Sequence, residues 1–290
     1  MSQLAATSHP FLRDAESYPE EGDAAPPKHS GWMKHWPAIH AHLAAHPRLL
    51  LAVGFDGILS PTVARPGEAV LPEETRTLLT ELGSSSRIAL AFFSGRSLGD
   101  IQARVGLPNA YYAGNHGMEV RGPGLVSSDG LAVSCRSDLV DALAFLARCT
   151  KRLRGVVIED KGMVVTVHWR LADAADGATL RDLLDVIVRS HPRLRVFPGE
   201  ACWELRARAS WNKGDALGQI LTHLQLKPAD ALYIGDEFTD EDAFARLAEG
   251  LTFCVGEAAA SAARFHLQNR EDTTQLLSKI FRAVNGMPLG

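Results

Sequence analysis

Short, wholly apolar runs that alternate with helix-like segments constrain the fold of this chain more than any other feature of its sequence. Residues 49–55 and 88–93 are continuous apolar stretches, which is typical of strands buried on both faces of a parallel sheet. A helical pattern follows Pro72, and another runs over residues 97–105. This alternation of strand and helix predicts an α/β fold with a doubly wound parallel sheet.

A different rhythm interrupts this alternation in the middle of the chain. Ser137 is suited to cap a helix that reaches about Arg152, and a hairpin of residues 156–159 and 164–169 turns at residues 160–162. A second helix and two further short strands follow before the parallel rhythm returns. Two helices on an antiparallel sheet predict an inserted α+β cap domain.

The domain boundaries follow from the places where the rhythm changes. We expect a flexible N-terminal tail over residues 1–30, because prolines lie there among small and acidic residues without hydrophobic periodicity. The first part of the core is assigned to residues 31–121, the cap to residues 122–207 and the second part of the core to residues 208–290.

Composition and charge exclude several classes of protein. The 290 residues are 46% hydrophobic and 22% charged, with a net charge of -4, which is typical of a folded globular chain and offers no electrostatic footprint for nucleic acid. No apolar run approaches the roughly 20 residues that cross a bilayer, and the first residues lack the basic start and apolar stretch of a secretory signal. The four cysteines form no CxxC pair. We therefore expect a cytoplasmic protein without nucleic-acid or membrane partners.

Polar motifs stand directly after the apolar runs, where the loops of parallel strands converge. They are residues 54–59 (GFDGIL), 94–96 (SGR) and 235–240 (GDEFTD). Asp56, Asp236 and Asp240 offer the carboxylate oxygens that a hard cation prefers, which predicts a Mg²⁺ site. Ser94 and Lys213 offer a hydroxyl and a positive charge to the oxygens of a phosphate group.

Simpler interpretations stay open for the same residues. Asp56 and Gly57 are also common turn residues, and Asp236 and Asp240 are acids of the kind that favours a helix N-terminus. Arg96 is equally open to interpretation as a surface charge. Residue type alone therefore does not decide between a phosphate site and ordinary turn chemistry.

The ordered set of motifs resembles the haloacid dehalogenase (HAD) phosphatase superfamily and, within it, the trehalose-6-phosphate phosphatases. The further stretches that look specifically like that family are residues 112–119 (YAGNHGME), 159–162 (EDKG), 168–170 (HWR) and 235–244 (GDEFTDEDAF). The resemblance spans about residues 49–284. It implies a Rossmann-like HAD core with the inserted cap, and a Mg²⁺-dependent hydrolase of trehalose 6-phosphate that acts in trehalose biosynthesis.

The resemblance also implies a mechanism and roles for individual residues. In the family a first Asp attacks phosphorus and an Asp two residues later, which Asp56 matches, protonates the leaving sugar oxygen. The residues that the resemblance assigns to binding the phosphorylated disaccharide are Arg96, His116, Glu119, Lys161 and Glu204. A synthase of trehalose 6-phosphate is a candidate partner.

Two positions depart from the pattern of the family. Gly54 replaces the first Asp, and Ile58 replaces the Thr two residues past Asp56. Glycine has no nucleophile and also removes a metal ligand, and loss of a nucleophile generally costs about 10⁴ to 10⁶ in turnover. We therefore expect a protein that binds Mg²⁺ and trehalose 6-phosphate with lost or much reduced hydrolysis, as a sensor or partner subunit. The alternatives are an active trehalose-6-phosphate phosphatase with a non-standard mechanism and a phosphatase of another phosphosugar.

Overall fold

The computed structural model describes residues 31–63, 65–199, 201–208, 211–236, 238–256 and 261–288, so the predicted tail over residues 1–30 lies outside the described residues. In chain order the strands are β1 (Leu49–Gly54), β2 (Ile88–Phe93), β3 (Tyr111–Gly114), β4 (Glu119–Gly122), β5 (Leu125–Ser128), β6 (Val157–Asp160), β7 (Val164–His168), β8 (Leu194–Gly199), β9 (Cys202–Ala207), β10 (Ala231–Gly235), β11 (Leu251–Val255) and β12 (Phe265–Leu267). The α-helices are α1 (Trp36–Ala45), α2 (Glu73–Ser84), α3 (Leu98–Val105), α4 (Gly130–Ser134), α5 (Arg136–Cys149), α6 (Ala174–Ser190), α7 (Lys213–Leu224), α8 (Glu241–Arg246) and α9 (Arg270–Val284). None of the described helices is both long enough and apolar enough to cross a membrane.

An eight-stranded sheet forms the centre of the fold, in the order β12-β11-β10-β1-β2-β3-β4-β5. Its strands from β12 to β3 are parallel, whereas β4 and β5 add an antiparallel edge. From β1 the chain builds the sheet outward through β2, and it later returns to pair β10 on the other side of β1. The order of strands therefore reverses beside β1, which is where open α/β sheets bind their ligands.

Strand β1 shows why helices cover both faces of this sheet. All of its residues are buried, and they alternate between two cores, with Leu49, Leu51 and Val53 in one and Leu50 and Ala52 in the other. Helices α1, α2, α3 and α9 pack in the first core, and α7 and α8 pack in the second. The predicted doubly wound parallel sheet is confirmed.

A second sheet consists of four antiparallel strands in the order β6-β7-β9-β8. It has a hydrophobic core of its own, to which α4, α5 and α6 contribute Ala132, Leu139 and Leu184. These elements run from Gly130 to Ala207, between the two parts of the parallel sheet. The predicted insertion of an α+β unit into the α/β fold is confirmed.

The boundaries of several elements differ from the sequence-based expectation. The predicted cap boundary at residue 122 falls inside a hairpin, because β4 and β5 both pair in the eight-stranded sheet. Helix α4, which the sequence pattern did not predict, is capped by the side chain of Asp129. These segments are short or weakly apolar, so hydrophobic periodicity does not reveal them.

Candidate functional site

A cavity of about 890 Å³ lies between the carboxyl ends of β1, β2 and β10 and the second sheet. The predicted site residues that line it are Asp56, Arg96, His116, Lys161, Glu204 and Asp236. The predicted residues that lie behind its wall are Gly54, Ser94, Glu119, Lys213 and Asp240. Its volume is in the range of small-molecule sites, roughly 300–1,000 Å³. Residues that are distant in the sequence thus meet at one cavity, as the motifs predict.

The space in front of the expected nucleophile position is filled by a side chain. Gly54 ends β1 and is buried, and a Cβ atom added to it would lie 2.6 Å from Cδ1 of Ile58. Ile58 is itself buried, so its side chain occupies room that a carboxylate at residue 54 would need. Hydrogen bonds from the amides of Leu59 and Ser60 to the carbonyl of Phe55, at 3.0 and 2.9 Å, close the turn that holds Ile58 there. The two departures from the family pattern are complementary in shape.

The carboxylate of Asp56 is bound by the guanidinium of Arg96. Nη2 of Arg96 donates to Oδ1 at 2.6 Å and Nε donates to Oδ2 at 2.9 Å, while the hydroxyl of Ser94 donates to Oδ2 at 3.2 Å. From the other side, Nη1 of Arg96 donates to Asp100 at 3.0 Å, and Asp100 also accepts a hydrogen bond of 2.7 Å from Arg104. Burial alone would lower the pKa of Arg96, but the hydrogen bonds and charges of Asp56 and Asp100 raise it above its ordinary value. Arg96 therefore stays a cation at the cavity wall.

A second ion pair lies beneath the cavity. Nζ of Lys213 donates to Oδ1 of Asp240 at 2.8 Å, and both side chains are almost fully buried. The hydroxyl of Tyr233 donates to the same oxygen at 2.6 Å, and the amide of Asp236 donates to Oδ2 at 3.1 Å. Lys213 and Asp240 thus fix the loop after β10 from below. Their predicted roles as phosphate contact and metal ligand stay predictions.

A bound Mg²⁺ ion requires nearly octahedral coordination by oxygen ligands. Gly54 supplies no ligand, and the carboxylates of Asp56 and Asp240 are hydrogen-bonded to cationic side chains of this chain. Within the described ranges no three histidine, cysteine or acidic side chains are placed to hold a metal ion. In this arrangement the described residues do not fit Mg²⁺.

On the opposite wall, the buried carboxylate of Glu204 joins the second sheet to the core. Nε2 of His116 lies 2.8 Å from its Oε2, and Nζ of Lys161 donates to its Oε1 at 3.1 Å. His116 belongs to the turn after β3, Lys161 to the turn between β6 and β7, and Glu204 to β9. Burial would raise the pKa of Glu204, but the charges around it, above all those of His116 and Lys161, hold it well below its ordinary value. Glu204 is therefore a permanent anion beside Lys161.

Glu119 contributes to this cavity wall indirectly, through a hydrogen bond to a neighbouring residue. Its Oε2 accepts a hydrogen bond of 2.5 Å from Nδ2 of the buried Asn115, which also donates to the carbonyl of Lys161 at 3.0 Å. Asn115 and His116 both have positive φ, 49° and 57°. Glu119 thus orients a strained turn that carries His116, and its predicted contact with a sugar stays a prediction.

Sequence reasoning did not assign several residues that the structure brings to the cavity. Oε2 of Glu159 lies at hydrogen-bond distance, 3.0 Å, from Nε2 of His168, and both residues line the cavity. The ring of Phe197 also lines it and lies 3.7 Å from the guanidinium of Arg206. Glu159 precedes Lys161 by two residues, and the two-residue period of a strand is the signal that placed both on one side.

The core and its insert have the fold of the HAD-like hydrolases. A haloacid dehalogenase-like hydrolase from Bacteroides thetaiotaomicron is similar to this chain with a TM-score of 0.60 at 15% identity, over 80% of this chain and 99% of that one. Residues 52–277 match the trehalose-phosphatase family, and the chain belongs to this family.

Individual relatives agree with this assignment. The chain is 32% identical over 252 residues to the probable trehalose-phosphate phosphatase 9 of Oryza sativa subsp. japonica, which covers 76% of this chain and 67% of the relative. The C-terminal domain of a C. albicans trehalose-6-phosphate phosphatase has a TM-score of 0.72 at 22% identity, over 92% of this chain and 100% of that domain. The predicted HAD fold and the family resemblance are confirmed.

The contact between residues 54 and 58 predicts a coupled effect on stability. We expect Gly54→Asp alone to destabilise the protein by about 1–3 kcal/mol, because the new side chain overpacks against Ile58. In the background of Ile58→Thr the same substitution should cost clearly less, because the shorter side chain makes room. Urea unfolding of the native protein, both single variants and the double variant measures this coupling. Equal costs in the two backgrounds would contradict the packing account.

The ion pair beneath the cavity predicts a large loss of stability when its cation is removed. Lys213→Met should lower the free energy of unfolding by about 3–5 kcal/mol, because the carboxylate of Asp240 is left buried and uncompensated. Adding Asp240→Asn should restore part of this loss. Urea unfolding measures both effects, with Lys34→Met, at an exposed lysine, as the control. A loss no larger than that of Lys34→Met would contradict this role.

The depressed pKa of Glu204 predicts how its contribution to stability depends on pH. The carboxylate stabilises the fold fully above its ordinary pKa of 4.5 and loses this contribution as the pH falls below that value. We expect Glu204→Gln to cost about 3–5 kcal/mol at pH 7 and progressively less towards pH 3. Urea unfolding between these values tests it, with Glu81→Gln, at an exposed glutamate, as the matched control. A cost that does not change with pH would refute it.

Proposed function

We propose that the protein binds trehalose 6-phosphate, a phosphorylated disaccharide, and has lost most or all of its phosphomonoester hydrolysis. Membership of the trehalose-phosphatase family supports this class of substrate. A cavity of about 890 Å³ between the strand ends and the second sheet supports retention of a binding site. The absence of a nucleophile at Gly54 supports the loss of turnover.

The packing around Gly54 is the observation that most strongly supports the proposed loss of hydrolysis. Formation of a covalent phospho-enzyme needs a carboxylate oxygen that attacks phosphorus as the ester oxygen leaves. Gly54 has no such oxygen, and Ile58 fills the adjoining space. The neighbouring carboxylate of Asp56 accepts hydrogen bonds from Arg96 and Ser94, which direct its lone pairs to donors of this chain. A loss of turnover on the order of 10⁴ to 10⁶ is expected for such a site.

The charged pairs of the opposite wall support binding of a sugar. Glu204 with Lys161 and Glu159 with His168 place fixed acceptors and donors on one side of the cavity. Sugar hydroxyls are both donors and acceptors, so paired carboxylates and cations can hydrogen-bond them in a defined orientation. The ring of Phe197 adds an apolar surface beside these pairs. The wall is therefore suited to a carbohydrate rather than to a purely apolar ligand.

Binding without turnover gives the protein the role of a sensor or partner subunit. A protein that reports the concentration of trehalose 6-phosphate must hold it without consuming it. We infer that a synthase of trehalose 6-phosphate is a candidate partner and that the cytoplasm is the compartment in which the two would meet.

Thermal unfolding tests the binding. At a concentration of trehalose 6-phosphate about 100 times its Kd, the Tm should rise by roughly 5 °C, because binding to the native state stabilises it by about 2.7 kcal/mol. Trehalose and inorganic phosphate, each of which supplies only one half of the ligand, should give smaller rises. Glu204→Gln should lose most of the rise, and Glu81→Gln, on the outer surface of α2, should keep it.

Two outcomes would overturn the proposal. A Tm that does not respond to trehalose 6-phosphate would show that the cavity is not its binding site. Release of inorganic phosphate by the native protein that disappears in Asp56→Asn would show instead that the protein is an active phosphatase with a different mechanism.

A further inference from the structure

The cations of this chain already offset most of the negative charge at the strand ends. Of the three carboxylates predicted to bind a metal, Asp56 is paired with Arg96 and Asp240 is paired with Lys213. Gly54 removes the further carboxylate that the family pattern places there. A divalent cation at the strand ends therefore meets two ion pairs and fewer carboxylates than the family pattern provides.

Arg96 and Lys213 differ in their access to the cavity. Lys213 lies beneath the floor with its side chain 3% exposed, whereas Arg96 lies in the lining beside Asp56. A bound phosphate group at this end of the cavity therefore meets the guanidinium of Arg96 before it meets any atom of Lys213.

The guanidinium of Arg96 is held in place from several sides. Asp100 accepts a hydrogen bond from its Nη1 and is itself fixed by Arg104, and the ring of Phe55 lies 5.7 Å from its central carbon. A planar, pre-oriented guanidinium matches the geometry of phosphate oxygens, and the hydrogen bonds that it donates are strong because little water surrounds it. It also opposes metal binding, because a divalent cation must displace Arg96 from Asp56 against charge repulsion.

The geometry points to Arg96 as the group that binds the phosphate ester, in place of a divalent cation, so that trehalose 6-phosphate binds without Mg²⁺. This inference rests on the proposed function, since it concerns the phosphate end of the same cavity. An incoming phosphate competes with the carboxylate of Asp56 for Nε and Nη2 of the guanidinium, and Ser94, which donates to Asp56, stands beside both. The site then recognises a phosphate ester by an arginine fork where the predicted site uses a metal.

Isothermal titration calorimetry with trehalose 6-phosphate tests this on the native protein, once in EDTA and once in MgCl₂. We expect the same Kd in both buffers, and no change of Tm when MgCl₂ alone is added. Binding in MgCl₂ but not in EDTA would overturn the role of Arg96 and leave the proposed function intact. No binding in either buffer would overturn the proposed function itself.

Substitution of the arginine gives a second, independent measurement. Arg96→Gln should weaken binding in EDTA by about 10- to 100-fold, and MgCl₂ should then restore part of the affinity, because Asp56 is free to accept a cation. Arg96→Lys keeps the charge but cannot donate two parallel hydrogen bonds. Its affinity for trehalose 6-phosphate should therefore lie between those of the native protein and of Arg96→Gln.

The matched control is Arg136→Gln, because Arg136 forms a similar pair with Asp160, at 2.6 Å, outside the cavity lining. It should bind like the native protein in both buffers. Unchanged affinity of Arg96→Gln in EDTA would overturn the proposal, and the comparison of buffers on the native protein holds even where Arg96→Gln folds poorly.

Discussion

The burial of β1 on both faces is the constraint on which the rest of the structure depends. A strand with no polar face must lie inside a sheet that helices cover on both sides, and parallel neighbours on each side satisfy its backbone groups. The reversal of strand order beside it brings the loops after β1, β2 and β10 to one place. The last residue of the same strand is Gly54, the position at which the resemblance places a nucleophile.

Electrostatic pairing determines what this site can do chemically. Three carboxylates near the cavity have a cation within hydrogen-bond distance, namely Asp56 with Arg96, Asp240 with Lys213 and Glu204 with Lys161. Such pairs hold their geometry because separating them would leave a buried charge uncompensated. A site of this kind is preorganised for recognition.

The architecture could be predicted from the sequence where periodicity is strong. The runs at β1, β2 and β10 and the motifs after them predicted the parallel core and the convergence of Asp56, Arg96 and Asp236 at one cavity. Short or weakly apolar elements such as β4, β5 and α4 were not predicted, because tertiary pairing rather than local sequence pattern stabilises them. Motif order therefore predicted which loops meet.

Contacts between loops could not be predicted in the same way. The sequence pattern gives no distance between residues 56 and 96. The ion pair between Asp56 and Arg96 was therefore not predicted. The burial of Lys213 beneath the floor and the side chain of Ile58 in front of Gly54 also depend on packing between segments. Sequence identified both departures from the family pattern, and only the structure shows that they fit each other.

Phosphorus-31 NMR of trehalose 6-phosphate with the native protein tests the central claim most directly, because one spectrum reports binding and hydrolysis together. The account predicts that the phosphate ester resonance shifts or broadens as protein is added and that its integrated intensity then stays constant for hours. A growing resonance of inorganic phosphate would contradict the loss of turnover. An ester resonance that the protein leaves unperturbed would contradict binding.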